Sequence, residues 1–453
     1  MRATGMIGPA MVRSIPRTTG RRFAVSPRGD DTHDCTEIRP CREIRRAIEL
    51  ATAPGDLLLV ADGEYASFEV NGLRGEISRP ITIFATGSHA LVRSRPNCTK
   101  KRCRDTIVVR DSQHVILDGL SSNEAPRAAV AVLYGDHVTI RHGRFADNGR
   151  WGIFSSFSDD VVVEYNEIIR SRREHGIYLS NSGDRPIIRF NILHDNDGCG
   201  IHLNGDYGEK PEMDRSGRSL YLGQVDGIVS DALIQGNWIY RNGSGAIANG
   251  RRRGGAAINL DGVWDSVLQD NVLFDNSGTG IAAFGDEDGI VDNSKDDGDG
   301  RFGPRGLVIT HNTVVMPHGS RNALQLRASR GTNTIFNNIL QHVDRRRAGL
   351  DLTTSADAVL VTSNRNVFDR ALVVEQMKSL DTWKRESGQD KQSISIPMTR
   401  IFVDPARGDY ALLPASPASR LTPADRTQDA LQSFGIIRPE MGSCAVGACL
   451  LAR

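Results

Sequence analysis

Three residues of this 453-residue chain, His175, Tyr178 and His202, point most directly to chemistry by type and spacing. They sit in or beside copies of one short stretch: His175-Gly176-Ile177-Tyr178-Leu179-Ser180, Gly200-Ile201-His202-Leu203-Asn204 and Ala257-Ile258-Asn259-Leu260-Asp261. In each copy two aliphatic residues flank one polar or aromatic residue, the period-two pattern of a strand with one buried face and one free face. Down the copies, the free face reads Phe154 and Ser156, Tyr178 and Ser180, His202 and Asn204, Asn259 and Asp261, Ala282 and Phe284, Gln325 and Arg327. Only the middle copies are rich in ionisable or hydrogen-bonding groups.

Two reactions fit such a set. Elimination at a uronic acid needs a base for the C5 proton, an acid for the departing oxygen and a neutraliser for the carboxylate. His175 or His202 is the expected base at neutral pH, and Tyr178 the donor. Asn259, the run Arg251, Arg252 and Arg253, or a cation held by Asp206 and Asp261 would neutralise. Hydrolysis of a glycoside instead needs two carboxyl groups, about 5 Å apart for retention or about 6.5–9.5 Å for inversion. Asp261 with Asp206 or Asp265 is the candidate pair. The catalytic candidates are therefore His175, Tyr178, His202 and Asp261. Asn204, Asn259 and the three arginines could contact substrate, while Trp151, Phe154 and Trp264 could stack on sugar rings or simply cover loops. Calcium is conceivable in the Asp- and Gly-rich stretch 286–300, although its spacing misses the EF-hand pattern.

The elements that must position these residues follow from a second repeat. An Asn followed two residues later by an aliphatic residue recurs at Asn166, Asn191, Asn237, Asn271, Asn312 and Asn338, and with Phe at Asn366. Short gaps of 25 to 28 residues set a unit length, and the longer ones read as units with insertions, the 46-residue gap as one unit or two. Each unit holds a strand ending at the Asn, a polar turn, and the Gly-Ile-x-Leu strand. Asn suits such a turn because it tolerates the left-handed conformation and because its amide can ladder from unit to unit. Successive units lie about 4.8 Å apart, so Tyr178 and His202 are expected as neighbours on one surface. An open end of such a stack needs a cover. Ile44, Ala47, Ile48 and Ala51 mark one face of an amphipathic helix over residues 42–53, the expected cap.

Composition narrows the partners. With 56 basic and 55 acidic side chains the formal charge is +1, so no global field gathers nucleic acid. No run of eighteen apolar residues is present to span a membrane. Gly is abundant at 46 residues and aromatics are scarce at 6%, which suits many tight turns. Cys35 with Cys41, Cys98 with Cys103 and Cys444 with Cys449 are spaced to close small loops, which places the protein outside the reducing cytosol, in an extracellular or periplasmic setting. Cys199, within Gly-Cys-Gly, reads as a buried thiol. Residues 1–22 are rich in Arg and carry only a weak apolar patch, Met6 to Val12, short of a signal-peptide core.

With these repeats, the cap-like segment from Cys41 to Tyr65, and the closing Phe402-Val403-Asp404-Pro405, Gly408-Asp409-Tyr410 and Ser416-Pro417-Ala418, the chain resembles the right-handed parallel β-helix proteins of the pectate-lyase-like superfamily. The resemblance covers most of residues 23–440 as a single all-β solenoid, with 1–22 as a disordered or targeting segment and 441–453 as a tail. It implies a monomeric carbohydrate-active protein acting on an acidic polysaccharide in a groove across the coils. That superfamily holds lyases, glycoside hydrolases, epimerases and non-catalytic surface proteins, and the fold does not choose among them. Neither the Asp-Asp constellation of polygalacturonases nor the Tyr-Gly-x-Asp-Pro-His signature of alginate epimerases is matched here. Lysines are nearly absent from the repeats, which departs from lyases that use Lys as base. A polysaccharide lyase is the leading expectation, with a glycoside hydrolase or a glycan-binding surface protein as the alternatives.

Overall fold

The computed structural model describes residues 13–94, 104–206, 208–245, 255–285, 302–369, 371–407 and 409–420, with backbone alone at 247–248, 251–252, 371 and 419–420. Its strands form three sheets of 12 strands each, and every neighbouring pair within them is parallel except the last pair of one sheet. One coil shows the path: Val162–Glu164 in sheet I, Glu167–Ile169 in sheet III, Ile177–Ser180 in sheet II, then back to sheet I at Ile187–Arg189. The chain is a right-handed parallel β-helix. Inward residues such as Ile177, Leu179, Ile201, Leu203, Ile258 and Leu260 form one continuous core, each no more than 3% exposed. Burying each such side chain contributes roughly 1.5–3 kcal/mol.

The expected asparagine ladder runs along the corner between sheets I and III. Asn191 Nδ2 donates to Asn237 Oδ1 at 3.0 Å and to the Val163 carbonyl at 2.8 Å, and the Asn191 backbone N–H donates to the same Oδ1 at 3.0 Å. The same pattern links Asn166, Asn191, Asn237, Asn271, Asn312, Asn338 and Asn366. The left-handed residue, however, is not the Asn. It is the residue immediately before it: Tyr165, Phe190, Asp270, His311, Asn337 and Arg365 all have φ between 55° and 58°, and Gly236 has φ 65°. The amide must lie inside the corner to reach its neighbours, so the preceding residue absorbs the turn. At Tyr165 and Phe190 the side chains of these residues stack on each other, with ring centroids 5.2 Å apart.

A second ladder, not anticipated from sequence, follows sheet III. The Ser171 N–H donates to Asn196 Oδ1 at 2.9 Å, Asn196 Nδ2 to Asn242 Oδ1 at 2.8 Å, and Asn242 Nδ2 to Asn276 Oδ1 at 3.1 Å. Again the preceding residues Arg170, Asp195, Arg241 and Asp275 are left-handed. The glycines that open the sheet II strands have a different cause. A Cβ on Gly152, Gly176 or Gly200 would lie 2.7–2.8 Å from the carbonyl of residue 176, 200 or 257 on the next coil.

The 46-residue gap is one coil. Ile201–Asn204 pairs directly with Ile258–Asp261, so neither residues 205–228 nor 243–256 adds a turn to sheet II. The first insertion is fastened by Tyr221, whose hydroxyl donates to Asp159 Oδ1 at 2.8 Å, and by Ser230, whose N–H and Oγ both donate to Asp184 Oδ1, at 2.8 and 3.0 Å. Burial, with the charges of Asp159 and Asp226, raises the Asp184 carboxyl from 3.8 to about 6.

The capping helix spans Ile44–Leu50, shorter than the expected 42–53. At its start, the Arg42 and Glu43 N–H groups both donate to Asp31 Oδ1 at 2.9 Å, beside the Cys35–Cys41 disulfide, which holds the chain off the helical path. At its end, the Ala53 N–H donates to Asp56 Oδ2 instead of a helical carbonyl. Ile44, Ala47 and Ile48 are buried over the first coils, as a cap requires. At the far end the helix Leu380–Ser387 follows the antiparallel hairpin 371–379, with Trp383 buried and its Nε1 donating to Asp390 at 2.9 Å. The pairs Cys98 with Cys103 and Cys444 with Cys449, the loop 286–300 and the tail 441–453 lie outside the described residues.

Two outcomes follow. Asn237→Ala strands several buried hydrogen-bonding groups at about 1–3 kcal/mol each, so chemical denaturation should show a loss of at least ~2 kcal/mol, whereas Asn71→Ala on the exposed surface should be near neutral. For Asp184, a folded-state value above the unfolded one means that the folded chain holds the proton more tightly, so native stability falls as pH rises from 3.8 to about 6. Asp184→Asn removes that loss, and its thermal stability relative to wild type should climb across this window and level off above it.

Candidate functional site

Sheet II stacks the candidate residues in two rows. Its register pairs Phe154 with Tyr178, Tyr178 with His202, and His202 with Asn259 on successive coils. Beside this runs Ser156, Ser180, Asn204 and Asp261. The expected neighbours do meet: the Tyr178 and His202 rings have centroids 5.1 Å apart. Tyr178 leans across to the second row, where its hydroxyl accepts from Asn204 Nδ2 at 3.1 Å. Asp261 is the register partner of Asn204 on the following coil.

His175 lies just before its strand and joins the same group. Its Nε2 is 3.1 Å from His202 Nδ1, and its Nδ1 accepts the backbone N–H of Cys199 at 3.0 Å. Burial pushes His175 well below the usual imidazole range, with His202 and Arg150 adding to the shift, and burial lowers His202 to about 4. Both rings are therefore neutral at pH 7. The Tyr178 phenol is raised by burial and by the charge of Asp206, so it keeps its proton. Cys199 is a buried free thiol, raised by burial to about 12.

The aromatic candidates divide. Trp151 and Phe154 point to the outer side of sheet II, yet they are only 5% and 8% exposed. Their rings stack on each other at 4.5 Å and on Tyr178 at 5.3 and 5.7 Å, and Arg127 lies over both. A free face of the sheet is thus not the same as an exposed one. Trp264 sits elsewhere, on a short strand paired with Val229–Ser230, where its Nε1 donates to the Gly303 carbonyl at 2.9 Å and Arg305 stacks on its ring. Asp265 beside it pairs with Arg305 at 3.1 Å. Arg251 and Arg252 form one side of a short hairpin with Ile247–Ala248. Their side chains, and Arg253 altogether, lie outside the described residues.

Among the described residues, neither Asp206 nor Asp261 belongs to a group of three possible metal ligands. Two other groups do arise. Asp136, His137 and Asp160 come together at the surface, but Asp160 is already paired with Arg185 at 2.8 Å. His175, Cys199 and His202 bring one ligand atom each within 4.8 Å. This group could hold a soft divalent ion by residue type. Its hydrogen bonding fits poorly, because a ligating imidazole ordinarily donates from its other nitrogen. His175 Nδ1 instead accepts from Cys199, so an ion at Nε2 would require the ring to lose both protons. Cys199 was expected as a buried thiol, and its contact with the histidine pair is visible only once the coils are stacked.

Comparison with known proteins places the fold. The family described as "Right handed beta helix region" matches residues 83–216. The uncharacterized protein YwoF of Bacillus subtilis (strain 168) is 23% identical, covering 88% of this chain and 92% of its own length. Among solved structures, pectate lyase Pel9A superposes with a TM-score of 0.54 at 14% identity, covering 88% of this chain and 91% of its own. An alginate lyase from Paenibacillus sp. str. FPU-7 matches with a TM-score of 0.45 at 17% identity, over 71% of this chain and 94% of that one. The three parallel sheets and the ladders that join them, together with the family match over residues 83–216 and the superposition on Pel9A, show the chain to have the right-handed parallel β-helix fold.

Proposed function

We propose that the protein is a carbohydrate-active enzyme that cleaves an acidic polysaccharide by β-elimination along the outer face of sheet II. The observation that carries this reading is the register that sets Tyr178, His202, Asn204, Asn259 and Asp261 on three consecutive coils. A sugar lying over Asn204 would meet the Tyr178 hydroxyl on one side and the Asp261 carboxylate on the other. Asp261 is the one carboxylate in the two rows between Phe154 and Asp261, which makes it the base of this reading in place of either histidine. It takes the C5 proton. The C4–O4 bond then breaks with formation of the C4–C5 double bond, and Tyr178, which holds its proton, donates it to the departing O4. The neutral His202 and the Asn259 amide provide hydrogen bonds to the sugar carboxylate, whose charge grows as C5 loses its proton. The Cys35–Cys41 disulfide supports an extracellular or periplasmic site of action.

The test is incubation of the full chain with polygalacturonate, alginate and sulfated glycans, followed by ultraviolet absorbance of the unsaturated uronate. Chain shortening with that absorbance supports elimination, and Tyr178→Phe and Asp261→Asn should each then lower kcat/KM by about 10²–10⁴-fold. Shortening without it would sink the lyase reading in favour of hydrolysis. Binding without any shortening would make the protein a glycan-binding module.

A further inference from the structure

The two histidines form a one-way chain of hydrogen bonds. A backbone N–H can only donate, so His175 Nδ1, 3.0 Å from the Cys199 amide nitrogen, must present its lone pair. A neutral imidazole carries one proton, and that of His175 is therefore on Nε2. Nε2 is 3.1 Å from His202 Nδ1, so it donates there and Nδ1 of His202 is in turn the bare nitrogen. The proton of His202 is left on Nε2, which is shielded from solvent and has no hydrogen-bond partner among the described residues.

A shielded, unpartnered N–H costs about 1–3 kcal/mol, and a second one lies close by. Trp151, 5% exposed, also has an Nε1–H with no partner among the described residues. The two rings flank Tyr178, at centroid distances of 5.1 Å for His202 and 5.3 Å for Trp151. Both donors beside the protonated phenol are covered in the free chain, so the ligand that satisfies them is one rich in acceptor oxygens that displaces a covering side chain as it binds. A cation does not satisfy them.

We infer that the Cys199 amide, acting through His175, fixes His202 as an Nε2–H donor to a carboxylate oxygen of the bound sugar, which makes His175 a positioning residue. The identity of that oxygen as a uronate's rests on the elimination reading above; the tautomer does not. A histidine locked in this form cannot take a proton from C5, in keeping with Asp261 as the base.

Imidazole nitrogen NMR of the full chain labelled with 15N-histidine reads the tautomer directly, with His202→Ala and His175→Ala supplying the assignments. In wild type, His202 should show a protonated Nε2 and a bare Nδ1. His175→Ala should release the lock, so that a second His202 form protonated on Nδ1 appears. His175→Gln should restore the wild-type form, because the Gln amide can donate from nearly the position of Nε2. Titration with galacturonate oligomers should shift the His202 Nε2–H signal, and neutral maltooligosaccharides should leave it in place. A wild-type His202 protonated on Nδ1, or a tautomer indifferent to His175→Ala, would overturn the positioning role. The expected tautomer without a uronate-induced shift would overturn the carboxylate contact, and the absorbance assay judges elimination independently of both.

Discussion

Everything in this protein depends on the coils staying in register, and the interaction that keeps them there is the buried amide ladder. Each interior ladder Asn, as at Asn237, has its Oδ1 shared by two donors from the coil before and its Nδ2 committed to the coil after and to a carbonyl of the core. A slip by one residue would turn every side chain of a strand to the opposite face. It would also leave these amides unsatisfied in an apolar corner, where each lost partner is costly. Left-handed residues before each Asn are the local strain that the ladder holds in place, since such conformations persist only where their surroundings over-determine them.

Register is also what makes a site. Tyr178, His202 and Asn259 are separated by tens of residues in sequence, yet the coil repeat puts them one above another. Insertions follow the same logic. Residues 205–228 leave the stack after Asn204 and return before the next strand of sheet I without displacing any coil, so they can elaborate the rim while the site's spacing is kept. The outer face of sheet II thereby combines a rigid floor with loops that differ from coil to coil.

Polarity within the site comes from the backbone. The Cys199 amide orients His175, and His175 orients His202, so a covered ring on the outer side of sheet II takes its proton arrangement from a main-chain N–H. Burial keeps both imidazoles neutral, since a desolvated cation is disfavoured. The aromatic stack of Trp151, Phe154 and Tyr178, with Arg127 over it, closes one side of this region and excludes water from it.

The sequence alone determined the repeat, the two faces of each sheet II strand, the asparagine ladder and the capping helix, because each is written in local periodicity that any coil must satisfy. It located Tyr178 beside His202 for the same reason. Tertiary structure alone decided the rest. That the long insertion adds no coil, that Trp264 belongs to a different surface, and that Trp151 and Phe154 are outward yet covered all depend on what packs over them, for which sequence spacing holds no signal. The same is true of the Cys199 amide reaching His175 across 24 residues: a backbone N–H has no side-chain identity to read, and its aim is fixed only when one coil is laid upon the next.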